Sequence, residues 1–252
     1  MKLCELYDRL NQLYPKDLSC DWDNDGIMCA YDMDAEVKRV LIAVDVTMDT
    51  VNYAIDNGFD LVISHHPLVF HSQNALAPLN YTQRKLIKLI QNKVSVFSFH
   101  TRLDAVEGGV NDTLASVIGI DNVEVDKFDS IGRIGYLKDS VALSTFVENV
   151  KKALNAPVVI YNGNKDVHTV YVVGGDGKDL IKNAIALGAD TILTGRASYN
   201  TTIDANDMGI NIVEAGHFFT ENPVCEVVKK DVLDICSELY VEIFNSNSIK
   251  FA

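Results

Sequence analysis

Residues 37–66, VKRVLIAVDVTMDTVNYAIDNGFDLVISHH, align without a gap to residues 167–196, VHTVYVVGGDGKDLIKNAIALGADTILTGR, at an offset of 130. Val37, Val40, Asp49, Ala54, Ile55, Gly58 and Asp60 recur as Val167, Val170, Asp179, Ala184, Ile185, Gly188 and Asp190. Within the first copy, Val40-Leu41-Ile42-Ala43-Val44 and Leu61-Val62-Ile63 are short continuous apolar runs. Such runs suit strands buried on both faces of a sheet. Residues 48–58 between them read as a helix that closes at Gly58. Strand, helix, strand is the building unit of a parallel sheet. Its duplication predicts an α/β chain of two similar, intertwined halves, with mostly parallel sheets and flanking helices.

The repeat continues less regularly at an offset near 117, where Val94-Ser95-Val96-Phe97-Ser98-Phe99 answers Ile210-Asn211-Ile212-Val213-Glu214-Ala215. Each strand runs into an acidic motif, His100-Thr101-Arg102-Leu103-Asp104 in one half and His217-Phe218-Phe219-Thr220-Glu221 in the other. At the start, Leu3, Leu6, Leu10 and Leu13 have helical spacing, and Pro15 ends the helix. A linker is expected near 119–140, where Asp121, Asp126, Asp129, Gly132 and Gly135 interrupt short apolar stretches. The expected halves are 1–125, with 210–252 packing back on it, and 126–209.

Composition narrows the function. Lys+Arg number 22 against 35 Asp+Glu, a net charge of −13, and such a surface repels a phosphate backbone. Nucleic acid is not an expected partner. The longest apolar runs fall far short of the roughly 20 residues needed to cross a bilayer, so no membrane span is expected. Cys4, Cys20, Cys29, Cys225 and Cys236 contain no C-x-x-C pair, which points to reduced, buried thiols. The opening residues, Met1-Lys2-Leu3-Cys4-Glu5-Leu6, do not form an apolar core before a small-residue cleavage site. A cytoplasmic protein is expected.

Ser64-His65-His66-Pro67 lies just past a predicted strand, and ligands of open parallel sheets gather outside the carboxyl ends of the strands. Asp104, His217 and Glu221 also fall at or beyond strand ends, so three segments converge. If residues 217–221 begin a helix, the i, i+4 spacing puts His217 and Glu221 on one face, and the same holds for His100 and Asp104. Imidazole and carboxylate without thiolate suit Zn, Fe(II), Mn or Ni. Five or six such donors exceed the three protein ligands usual for one catalytic zinc and favour a two-metal site that holds a nucleophilic hydroxide. His71 and His168 have no acidic partner at ligand spacing and read as structural. Gly174-Gly175-Asp176-Gly177 follows a strand and precedes a helix, as a phosphate-binding loop would, but lacks the G-x-G-x-x-G and Walker patterns. The turn Asp21-Trp22-Asp23-Asn24-Asp25-Gly26 carries the only tryptophan. It reads equally as a pocket wall or a cap on the sheet.

Taken together, Trp22-Asp23-Asn24, Ser64-His65-His66-Pro67, His100-Thr101-x-Leu103-Asp104, Gly108-Gly109-Val110-Asn111-Asp112, Gly174-Gly175 and Gly216-His217-x-x-Thr220-Glu221 resemble the Nif-three-like family. Its members are often labelled GTP cyclohydrolase I type two homologues. The resemblance spans nearly the whole chain, in a short form without a central insertion. It implies a dinuclear centre on His65, His66, Asp104, His217 and Glu221, with Glu221 or Asp104 bridging. It also implies an outer place for His100, in proton transfer or support of the ligands, and a ring-shaped homohexamer. Where the family reads T-G-D followed by Tyr-His, this chain reads Thr194-Gly195-Arg196-Ala197-Ser198-Tyr199-Asn200, which changes the charge of the pocket.

The expected activity is therefore hydrolysis of a small, nucleotide-like or cyclic amide substrate by a metal-bound hydroxide, with two divalent ions (Zn, Fe or Mn) as cofactors. The alternative is a metal-binding regulatory or scaffold protein without turnover.

Overall fold

The computed structural model describes residues 1–251. Its strands are β1 (Gly26–Cys29), β2 (Arg39–Ala43), β3 (Leu61–Ser64), β4 (Ser95–Ser98), β5 (Asp121–Val125), β6 (Arg133–Val141), β7 (Ile160–Asn162), β8 (Val167–Asp176), β9 (Thr191–Arg196), β10 (Asn211–Glu214) and β11 (Tyr240–Ile243). The helices are α1 (Leu3–Leu13), α2 (Met48–Asp56), α3 (Tyr81–Gln91), α4 (Thr101–Ala105), α5 (Val110–Val117), α6 (Leu143–Ala153), α7 (Ile181–Ala186), α8 (Tyr199–Met208), α9 (His217–Glu221) and α10 (Val224–Ile235). No helix among the described residues is long and apolar enough to cross a membrane.

The chain forms two compact units, Met1–Val106 with Cys225–Ser248, and Glu107–Val224 with the last residues. The first carries a sheet of order β1-β4-β3-β2-β11, parallel except for β1. Leu41, Val62 and Val96 face a core shared with Val51 and Ala54 of α2 and with Leu86 and Leu89 of α3. On the other face lies α1, whose Leu3, Leu6 and Leu10 are buried and whose Tyr7 ring sits 4.9 Å from Phe97.

The second sheet has the order β5-β6-β8-β9-β10-β7, with β8, β9 and β10 parallel and the rest antiparallel. Successive strand residues point to opposite faces. Accordingly Val170 and Val172 of β8 join a core with Leu114 of α5 and Phe146 of α6, while Tyr171 and Val173 join one with Ala184 of α7 and Ala205 of α8. Both faces are apolar because both are covered, which is what the unbroken hydrophobic runs signalled.

The repeat is visible bond by bond. β2 pairs with β3 at Val40↔Leu61, and β8 with β9 at Val170↔Thr191, the same register displaced by 130. The Asp60 carboxylate accepts from Lys38 N and Arg39 N at 2.8 and 2.9 Å. Its counterpart Asp190 accepts from His168 N and Thr169 N at 3.0 and 2.7 Å. The shared aspartate thus satisfies the entry amides of the first strand from the start of the second, a pairing that buried backbone groups require.

The boundaries differ from the sequence expectation. Residues 107–125 belong to the second unit, because α5 packs in its core and β5 pairs with β6. Residues 210–224 belong there too, because β10 pairs with β9 and β7. Only from Cys225 onward does the tail join the first unit, adding β11 parallel to β2. The stretch read as a linker near 119–140 is the β5–β6 hairpin. Its Gly135 serves close packing, since a Cβ there would come within 2.7 Å of the Asp121 carbonyl oxygen.

Candidate metal centre

In the first unit, β3 ends at Ser64, and the next two residues are His65 and His66. Ser64 Oγ and Ser98 Oγ of the neighbouring strand lie 2.7 Å apart, and Ser64 Oγ donates to the His66 carbonyl at 2.9 Å. His66 N donates to the Val44 carbonyl at 2.9 Å. The strand end is therefore fixed on both sides where the chain bends at His65 and His66.

Three imidazoles converge here: one ring nitrogen of His65, His66 and His100 lies within 4.8 Å of the others. Each ring uses Nδ1 on an outer acceptor. For His65 it is the Phe99 carbonyl at 3.0 Å, for His66 the Asp45 carboxylate at 2.8 Å, and for His100 the Asp23 carboxylate at 2.9 Å. A carbonyl or carboxylate can only accept, so Nδ1 carries the proton and Nε2 the lone pair in each neutral ring. This arrangement orients metal-binding histidines and sets their tautomer. Asp104, on α4, brings its Oδ1 to 3.6 Å from His65 Nε2.

His100 precedes α4 as its N-terminal flanking residue. Asp23 holds this corner, accepting from Thr101 N at 3.0 Å and Thr101 Oγ1 at 2.7 Å as well as from His100. Burial works to raise the Asp23 carboxyl, but the bonds from His100 and Thr101 outweigh it and hold the group well below the usual carboxylate range. Asp25 accepts two bonds from the fully buried Arg102, at 2.9 Å each, and a further one from Lys16. The acidic turn is thus a clamp on α4. Trp22 remains 63% exposed, its ring 6.1 Å from those of His100 and Phe70.

In the second unit, α9 places His217 Nε2 3.0 Å from Glu221 Oε1, the i, i+4 pair expected from sequence. The glycines beneath it make this possible. Gly175 has φ +66°, and a Cβ there would overlap the Glu221 carboxylate and lie 3.2 Å from His217 Nε2. A Cβ on Gly195 would come within 2.7 Å of His217 Cα. The pair sits in a cradle that only hydrogen side chains leave open.

The same loop does not read as a phosphate site. Gly174 N donates to Asn111 Oδ1 at 2.7 Å, Gly175 N to Thr220 Oγ1 at 3.2 Å, and Gly177 N to Thr194 Oγ1 at 3.0 Å. Its amides are engaged by the protein. Asn111 and Asp112 also have structural roles: Asp112 holds the buried Arg133 through bonds of 2.8 and 3.1 Å.

The structure therefore groups His65, His66, His100 and Asp104 in the first unit and His217 with Glu221 in the second. His71 packs on Phe70, with ring centroids 4.9 Å apart, and His168 lies 5.7 Å from the Tyr136 ring. Asp45, two residues beyond β2, Asp23 and the Phe99 carbonyl are the braces that sequence reasoning missed. The position of Asp45 at a strand end was the available signal. The histidine and carboxylate groups of these clusters could hold a metal ion.

A family model described as DUF34/NIF3 (NGG1p interacting factor 3) matches residues 1–250. A "GTP cyclohydrolase 1 type 2 homolog" of Clostridium acetobutylicum is 33% identical over 239 residues, covering 91% of this chain and 89% of that relative. A homolog of the same name from Methanocaldococcus jannaschii is 30% identical, covering 88% and 90%. Among solved structures, a Bacillus cereus protein related to NIF3 shares the fold at TM-score 0.92 and 22% identity over 100% of this chain and 99% of that one. Reduced HcgD from Methanocaldococcus jannaschii superposes at TM-score 0.85 with 28% identity, covering 96% and 97%. The chain belongs to the DUF34/NIF3 family.

Proposed function

We propose that the chain is a dinuclear metal-dependent hydrolase acting on a small, nucleotide-like or cyclic amide substrate. The observation that supports this most is the set of three imidazoles whose Nδ1 atoms are all tied to outer acceptors, leaving Nε2 of each as the donor. In this reading the metal ligands are His65, His66 and Asp104 of the first unit and His217 and Glu221 of the second. Two divalent ions of the zinc, iron or manganese type, held by these residues, would supply a nucleophile active at neutral pH and a Lewis acid for the substrate oxygen. Asp104 and Glu221 bring the negative charge that balances the cations. Phe99 and Asp45 keep His65 and His66 turned toward their task. His100, steadied by Asp23, is assigned to moving a proton through Nε2 to or from the reacting group.

Metal counting by plasma mass spectrometry on untagged protein tests the ligand set. About two transition ions per chain are expected, with fewer in His65→Ala and in Glu221→Gln. Full occupancy in both variants would overturn the assignment. The name carried by the relatives puts GTP on the substrate panel, beside phosphoesters and cyclic amides. Metal-loaded protein that turns over none of them would favour the regulatory reading instead. A homo-oligomer, hexameric by family resemblance, belongs to the same reading and is measured by sedimentation.

A further inference from the structure

The first unit contains a cleft of about 360 Å³ beside the histidines, and none of the proposed ligands except His66 lines it. One wall comes from the turn after β2, with Asp45 and Thr47, another from Phe70 and His71, and a third from Tyr81 and Lys85 of α3. Among the described residues, Lys85 is the one lining side chain of permanent positive charge, in a chain of net charge −13. It is only partly exposed, and its Nζ donates to the Val46 carbonyl at 2.6 Å, which holds the ammonium at the cleft rather than out in solvent. Burial pushes this ammonium below its ordinary value, and the nearby Asp45 charge works against that. An ammonium carries three donors, so one carbonyl does not exhaust it.

The lining also offers two exposed rings and two amides tied to each other. Phe70 and Tyr81 are 41% and 73% exposed, large rings left accessible at the wall of a concave site. Lys85 Nζ lies 5.5 Å from the Tyr81 ring centroid. Asn80 and Gln73, by contrast, bond each other at 3.1 Å, and Asn80 also caps α3 through Gln83 N at 2.9 Å. These amides stiffen the wall. Among the described lining residues Lys85 supplies the fixed cation and Phe70 and Tyr81 the exposed rings, while the Asp45 carboxylate is engaged by His66 Nδ1 at 2.8 Å.

We infer that this cleft is the substrate's binding subsite and takes a planar ring bearing an oxyanion, phosphate or carboxylate, with the oxyanion on Lys85 Nζ and the ring against Phe70 and Tyr81. The word substrate rests on the hydrolase reading above. The cleft and its ligand class do not.

Phenyl phosphate is the test probe, with benzoate, phenol and inorganic phosphate beside it. Trp22 is the chain's only tryptophan and sits 6.1 Å from Phe70, so its fluorescence reports on the wall. Titrations are run on chelator-treated and on metal-loaded protein. Phenyl phosphate or benzoate should bind saturably in both forms, about tenfold more weakly in Lys85→Gln but not in Lys85→Arg, as expected for loss of a charge-assisted bond. The relative response to those two probes tells phosphate from carboxylate. Tyr81→Ala, at an exposed position, should weaken the aryl probes and leave inorganic phosphate unchanged. Phenol should bind far more weakly than either anion. Absence of saturable binding to a folded protein, or equal affinity in Lys85→Gln and wild type, would overturn the inference. Lys85-dependent binding by a chain that holds no metal would sustain the subsite while the metal reading fails. Normal metal content with no probe binding would do the reverse.

Discussion

Gly175→Ala adds one methyl group at the point where the second unit has least room. Two costs are expected. The residue has φ +66°, a left-handed backbone that costs a non-glycine residue about 1–2 kcal/mol. The new Cβ would also overlap the Glu221 carboxylate and press on His217 Nε2 at 3.2 Å, and overpacking of this kind typically costs about 1–3 kcal/mol. Gly188 separates the two. It has φ +84°, and a Cβ there would meet nothing within 4 Å, so Gly188→Ala carries the backbone cost alone. Urea unfolding of the metal-free proteins should place Gly175→Ala about 1–3 kcal/mol below Gly188→Ala. On metal loading, Gly188→Ala should match wild type and Gly175→Ala should retain less, because the carboxylate has been pushed aside. Equal stability of the two variants, together with wild-type metal content in Gly175→Ala, would refute both the tightness of the cradle and the role of the pair above it.

Asp45→Asn keeps the shape of the partner of His66 but removes the charge; metal affinity, read by competition with a chromophoric chelator, should fall about tenfold, the lower end of the usual range, because both side chains are partly exposed. Asp25→Ala strands the fully buried Arg102 guanidinium and should cost about 3–5 kcal/mol in chemical unfolding. Burial raises the Asp25 carboxyl, but Arg102 and Lys16 hold it below its ordinary value. A depressed carboxylate stabilises the fold above its unfolded pKa of about 3.9 and loses that contribution as pH falls through the folded value. Wild-type stability should therefore drop below about pH 4, with a shallower drop in Asp25→Ala. Ser198 caps α8 by accepting from Thr201 N at 3.2 Å, so Ser198→Ala should lower the unfolding free energy by about 1 kcal/mol.

The parallel cores of both sheets were legible because burial on two faces writes itself into sequence as unbroken apolar runs, and the offset of 130 holds down to strand register. The antiparallel margins were not. β5 is largely exposed and β6 exposed over its second half, so neither shows an apolar run, and Gly132 and Gly135 resemble turn punctuation although they sit against Tyr171 and Ile120. At the site, His65, His66, His217 and Glu221 stood out as residue types at strand ends. Asp45 and Asp23 did not, because a carboxylate that braces a histidine is indistinguishable in sequence from one that faces water, and the Phe99 carbonyl that braces His65 has no side-chain signal at all. His100 was assigned an outer place by resemblance. The geometry sets its ring 5.2 Å from that of His65, near enough to share the same chemistry.

The repeat also explains why the two halves are not interchangeable. At the offset of 130, Asp45 corresponds to Gly175, His65 to Gly195 and His66 to Arg196. In the proposed site the ends of β2 and β3 of the first unit carry His65, His66 and the carboxylate that orients His66, and the helix that follows β4 brings Asp104 and a histidine at its start. In the second unit Gly175 and Gly195 stand at two of the equivalent positions and Arg196 at the third, and in the proposed site the donors come from α9, which packs against Gly175 and Gly195 closely enough that a Cβ on either would collide with it. The repeat holds two copies of a strand end of the kind outside which ligands gather. One copy carries Asp45 and His65 where the other has Gly175 and Gly195, and over those two glycines the residues of α9 lie close to the backbone. A glycine at 175 or 195 is on this account as much a part of the site as a histidine, and its replacement should be felt in metal content before it is felt in the sheet.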